Sequence, residues 1–141
     1  MMVKIYIDPG HGGSDPGSQA YGLQEKNVTL DIAKRIRSYL NKNYTGHTIK
    51  MSRTTDKTVS LSARTKEANR WGADFFLSVH INAGSGTGYE DYIHSSLSNT
   101  SQTAKYRTII HDKIIKETNM IRLLKKRKCV TVGKRRLILL Y

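Results

Sequence analysis

The stretch "KIYIDPGHGG", residues 4–13, sets the frame for the whole chain. Val3, Ile5 and Ile7 alternate with Lys4 and Tyr6, the period of a β-strand, and the chain then runs directly into Asp8, Pro9, Gly10, His11, Gly12 and Gly13. An imidazole thus stands at the lip of a strand on a backbone built almost wholly of turn residues. Glycines permit the sharp bend and put no side chains around the ring.

Working outward, Asn27 is placed to cap a helix with Val28, Ile32, Ala33, Ile36, Tyr39 and Leu40 on one face. Residues 47–52 read as a second strand. Ser60 suits the start of a helix that turns Leu61, Thr65, Ala68 and Trp71 inward and stops at Gly72. Phe75, Leu77, Val79 and Ile81 alternate with Phe76, Ser78, His80 and Asn82 in a third strand, and residues 89–94 form a fourth. A helix over 104–118 groups Tyr106, Ile109, Ile110, Lys113 and Ile114. Strand, helix, strand, helix, strand is the order of an α/β fold: a mostly parallel twisted sheet flanked by helices.

The 141 residues suit one domain. No run approaches the roughly 20 apolar residues that span a bilayer, and the opening residues do not form a signal peptide. Synthesis in the cytoplasm is the expectation. The single Cys129 excludes an internal disulfide or a multi-cysteine zinc site, and reads as a small apolar side chain. A net charge of +13 suggests nucleic acid until its distribution is read. Residues 1–100 carry 12 Lys/Arg against 9 Asp/Glu, whereas residues 101–141 carry 12 against 2, so the basicity belongs to the end of the chain. A nucleic-acid-binding role for the front domain is disfavoured.

In such a sheet, ligands gather beyond the carboxyl ends of the strands. His11 follows the first strand, His80 ends the third, and Glu25 precedes the first helix on a loop short enough to return to that edge. Two imidazoles and a carboxylate form a common ligand set for catalytic Zn²⁺. Spacing alone leaves this open, because positions 14 and 55 residues apart make no local signature and a histidine near a strand end is ordinarily just a hydrogen-bonded polar group. The rival reading of "PGHGGSDPG" as a phosphate cradle lacks the Lys-Ser/Thr of a P-loop and the G-x-G-x-x-G spacing.

The chain resembles the zinc-dependent N-acetylmuramoyl-L-alanine amidases, the catalytic domain shared by bacterial autolysins and phage endolysins. The resemblance rests on "IDPGHGGSDPG" (7–17), "GLQEKNVTLDIA" (22–33), "SRTTD" (52–56), "LSARTKEAN" (61–69), "ADFFLSVHINA" (73–83) and "GYEDYI" (88–93). It implies that His11, Glu25 and His80 are the zinc ligands. It also implies hydrolysis of the amide between N-acetylmuramic acid and the first L-alanine of the peptidoglycan stem peptide. Asn82 is a candidate for orienting substrate, and Arg53 and Arg64 are expected to tie helix and loops together through ion pairs. His47, His94 and His111 match no ligand position and are expected at the surface. Lacking a signal peptide, such a protein would reach the wall after cell lysis or through holin pores.

The pattern breaks late. The resemblance places a catalytic glutamate on a last strand, whereas "IRLLKKRKCVTVGKRRLILLY", residues 121–141, holds eight Lys/Arg and no Asp or Glu. Residues 1–120 are therefore read as an incomplete catalytic domain without its closing strand and helix, and 121–141 as a basic tail. That tail is either an arm for anionic wall polymers or nucleic acid, or the product of a reading frame that slips near residue 120, which the abrupt change in composition favours. Glu90 is the one remaining carboxylate in a matched segment that could assist. Activity is expected to be impaired; the alternatives are an inactive wall-binding protein and, behind it, a basic nucleic-acid-binding protein.

Overall fold

The computed structural model describes residues 2–81 and 89–118, and the backbone over 122–127 and 136–140. In chain order the elements are β1 (Val3–Pro9), β2 (Gln19–Ala20), β3 (Leu23–Gln24), α1 (Glu25–Asn43), β4 (His47–Met51), α2 (Leu61–Trp71), β5 (Phe75–Val79), β6 (Tyr89–His94), α3 (Gln102–Thr118), β7 (Arg122–Arg127) and β8 (Arg136–Leu140). The main sheet has the order β4-β1-β5-β8-β6-β7, and β2 pairs with β3 beside it. β4, β1, β5 and β8 are parallel, β6 runs antiparallel to β8, and β7 is parallel to β6.

The alternation in β1 divides the core between the two sheet faces. Tyr6 packs with Ala68, Ala73, Phe76 and Tyr92 beneath α2. Ile7 packs with Ala33 and Met51 beneath α1, flanked by Leu30 and Ile36. β5, inside the sheet, has Phe76, Leu77, Ser78 and Val79 buried in succession, as expected of a parallel strand covered on both faces. Its polar member, Ser78, donates to the Asp8 carboxylate at 2.9 Å.

Ser60 and Gly72 do what the sequence predicts. The Ser60 hydroxyl accepts from the Ala63 amide at 3.2 Å, and Gly72 closes α2 in the left-handed conformation at φ 79°. Asn27 does not cap α1. That helix begins at Glu25, and its first amides are satisfied by the returning loop, Glu25 N donating to Ser18 O at 2.8 Å and Lys26 N to Pro16 O at 3.1 Å.

α3 is rotated from its expected setting. Its buried residues are Thr103, Ala104, Arg107 and His111, while Ile109 is 65% exposed. The cause lies on β6, where Asp91 is wholly buried and needs polar partners. His111 Nδ1 meets Asp91 Oδ2 at 2.8 Å and Arg107 Nε lies 3.7 Å from Oδ1. His111, expected at the surface, is thus among the most buried side chains described.

The end of the chain also departs from the sequence reading. Residues 122–127 and 136–140 run as strands of the main sheet, with β8 inserted between β5 and β6. The apolar run Leu137–Leu140 is a strand sequence in its own right, and a reading weighted by the surrounding charge passes over it. β7, rich in Lys and Arg, takes an edge position, where such residues discourage pairing with other chains.

Arg64 joins α2 to the end of β1. Its Nη1 lies 2.7 Å from Asp8 Oδ1, with side chains only 5% and 7% exposed. Arg64→Met leaves Asp8 buried and unpaired, and is expected to cost about 3–5 kcal/mol of stability. Denaturant unfolding of the two proteins side by side measures it.

Candidate metal centre

The loop after β1 turns through a run of positive φ values: His11 59°, Gly12 130°, Gly13 61° and Gly17 65°. A histidine in that region is strained and persists only where its surroundings over-determine it. Two buried guanidiniums do so. Arg64 Nη2 donates to His11 O at 2.7 Å and its Nη1 to Pro9 O at 2.6 Å. Arg53 Nη2 donates to Gly10 O at 2.8 Å and to Lys26 O at 2.7 Å. Arg64 therefore makes the ion pair expected of it. Arg53 ties the loops through carbonyls instead, and no carboxylate forms an ion pair with it among the described residues.

Within this frame His11, Glu25 and His80 converge. One ligand atom from each lies within 4.8 Å of the others. Glu25 Oε1 is 3.1 Å from His11 Nε2 and 3.1 Å from His80 Nδ1. Tetrahedral zinc bonds of about 2.0–2.1 Å space neighbouring donors about 3.3–3.4 Å apart, close to both separations from Glu25. The packing also keeps the space open. A Cβ on Gly10 would collide with the His80 ring, and one on Gly17 would lie 2.6 Å from His11 Cδ2 and 2.8 Å from Glu25 Oε2.

Two of the donors are held from behind. Glu25 Oε1 accepts from the Ile81 amide at 2.8 Å and Oε2 from the Ser18 amide at 2.9 Å. His11 Nδ1 meets Asp15 Oδ2 at 2.8 Å. The side chain of Glu25 is 3% exposed against 25% for His11 and 20% for His80, so approach is from the side of the two rings. There a hollow of about 340 Å³ is walled by Thr58, Val59, Leu61 and Arg64. A wider hollow of about 650 Å³ runs along α2 past Lys66, Arg70 and Trp71, but it contains none of the three donors.

Burial alone would raise the Glu25 carboxyl. The Ser18 and Ile81 amides and the charge on His11 outweigh it, holding the group below its ordinary value. Burial pushes the His80 ring below the usual histidine value, only partly offset by Glu25. The site thus favours an ionised carboxylate and a neutral imidazole, the forms that bind metal.

Asn82 and Cys129 lie outside the described residues. His47 bonds to Asn41 at 3.2 Å and His94 to Ser96 at 2.7 Å, both far from the trio in the fold. Glu90 stands at the correct edge. Val79 is level with Leu140, which is level with Asp91, so Glu90 is level with His80, two strands away. Two strand spacings are about 10 Å, and the Glu90 carboxylate accepts from the Tyr92 hydroxyl. The sequence reading missed Asp15 and the Asp8–Ser78 pair. Only the turn-rich spacing of His11 and Asp15 hints at the first.

The Amidase_3 profile, N-acetylmuramoyl-L-alanine amidase, matches residues 5–138. The chain belongs to that amidase family. It is 55% identical over 115 residues to the N-acetylmuramoyl-L-alanine amidase CwlM of Bacillus licheniformis, a match covering 82% of this chain and 45% of that protein. It is 39% identical over 117 residues to the endolysin of Bacillus phage SPP1, covering 82% of this chain and 43% of the endolysin. The chain thus spans less than half the length of these curated relatives. The crystal structure of an N-acetylmuramoyl-L-alanine amidase from Clostridium difficile 630 superposes with a TM-score of 0.89 at 26% identity, covering 99% of this chain and 78% of the other. The shared amidase fold is a mixed α/β sheet flanked by helices, and no helix among the described residues is long and apolar enough to cross a membrane.

A pH test follows from Glu25. Its carboxyl is held below its ordinary value in the folded state, so its stabilising contribution is complete above the unfolded carboxylate value and is lost as pH falls through the folded one. In metal-free protein, urea midpoints should fall more steeply with acidification for the unsubstituted chain than for Glu25→Gln, the two curves converging at low pH.

Proposed function

We propose that this chain is a zinc-dependent peptidoglycan hydrolase that cleaves the amide between N-acetylmuramic acid and the L-alanine of the stem peptide. The observation that carries this reading is the convergence of His11, Glu25 and His80 beside an open hollow in a member of the amidase family. His11, Glu25 and His80 would hold Zn²⁺, which would supply a water of pKa lowered towards about 7 and Lewis acidity at the scissile carbonyl. Two neutral imidazoles and one carboxylate leave a dipositive ion with a net charge of about +1 for that task. Leu61, 66% exposed at the rim, offers an apolar contact to substrate.

A proton must also pass to the leaving amine. Residues 121–141 hold no carboxylate for this, and Glu90 is about 10 Å from His80 along the sheet. Turnover by this 141-residue chain is therefore expected about 10²–10⁴ below that of an amidase with its base in place. Residues 1–120 carry all three donors, and we assign the chemistry to them. The basic 121–141 segment suits anionic wall polymers. The endolysin among the relatives supports a route to the wall through lysis or holin pores.

The test is release of new L-alanine amino termini from purified cell wall in the presence of Zn²⁺. Slow release, abolished together with zinc binding in Glu25→Ala and His80→Ala, is the expected outcome. Tight wall binding with no release would favour the inactive wall-binding protein. Release unchanged in both variants would overturn the assignment of the ligands.

A further inference from the structure

The geometry points to Asp15 as the positioning residue of the metal centre, a carboxylate that sets which nitrogen of His11 faces the ion. This rests on the zinc reading above. Either ring nitrogen of a histidine can bind a metal, and the partner of the other nitrogen sets which one does. For His11 that partner is Asp15. Its Oδ2 sits 2.8 Å from His11 Nδ1, on the side of the ring opposite Nε2, which faces Glu25 at 3.1 Å. A carboxylate only accepts hydrogen bonds, so Nδ1 must carry the proton and Nε2 presents its lone pair to the metal.

Asp15 is itself held on three sides. Its Oδ1 accepts from the Gly17 amide at 3.1 Å, and its backbone exchanges hydrogen bonds with Gly12, 2.9 Å from Gly12 N to Asp15 O and 3.2 Å in return. The loop glycines thus hold the carboxylate as well as making room for the ring. Glu25 needs no such helper because two backbone amides already fix it. Partners of this kind behind a metal-bound histidine are worth about 10–100-fold in affinity. With the Asp15 side chain 60% exposed, water competes and the lower end, about tenfold, is expected here.

The experiment measures the zinc dissociation constant by chelator competition for the unsubstituted chain, Asp15→Ala, Asp15→Asn and Asp56→Asn. Asp56 is the control. It accepts from the Gly13 amide at 2.7 Å and pairs with Lys26 at 2.8 Å, bracing the same loop without touching His11. Asp15→Ala is expected to bind zinc about tenfold more weakly, Asp15→Asn by less, and Asp56→Asn within about twofold of the unsubstituted chain. Nitrogen-15 spectra of the zinc-loaded protein are expected to show His11 bound through Nε2 with an observable Nδ1 proton, lost to solvent exchange in Asp15→Ala. Circular dichroism checks that each variant is folded. Unchanged affinity in Asp15→Ala, equal weakening in Asp56→Asn, or zinc on Nδ1 would overturn the assignment while leaving the ligand set intact. No zinc uptake by the unsubstituted chain would overturn both.

Discussion

Arg64 reaches from α2 across the end of β1, where its guanidinium meets the Asp8 carboxylate and the carbonyls of Pro9 and His11. The pair is almost fully buried, so neither partner can move away without leaving a charge in an apolar setting. This one contact fixes the direction in which the glycine loop leaves the sheet. Arg53 then braces the Gly10 carbonyl between them and links it to Lys26 in the first turn of α1. A histidine held at positive φ, and through it the opening of the candidate metal site, depends on these two cations rather than on the apolar core.

The parts of the molecule that follow from local pattern are legible in the sequence. β1 and β5 show the two-residue period, the Ser60 cap and the Gly72 stop bound α2, and together they bring His11 and His80 to one edge. Convergence with Glu25 is less legible, because the three residues share no local spacing; the resemblance supplies what period and propensity do not. The clearance at Gly10 and Gly17 depends on rings that arrive from distant segments and has no local signature at all.

Two features were hidden for a different reason. The face α3 presents inward follows from Asp91, a buried charge on another element, which draws in Arg107 and His111 and leaves Ile109 outside. An amphipathic reading weighs apolar side chains and misses an interface organised by a carboxylate. The placement of β8 is likewise a non-local choice. Leu137–Leu140 is recognisable as strand-forming, but nothing in it says that its neighbours are β5 and β6.

That placement constrains how the molecule can assemble. β5 and β6 are consecutive strands, yet each meets β8, so the gap between them closes only with residues from the far end of the chain. Some 61 residues separate Val79 from its partner Leu140. At the roughly 5–20 residues per second of translation, the nascent β5 waits several seconds with one edge unpaired. During that interval the growing chain is open to wrong pairings of the kind chaperones suppress. The strand that completes the middle of the sheet is made after both of the strands it joins.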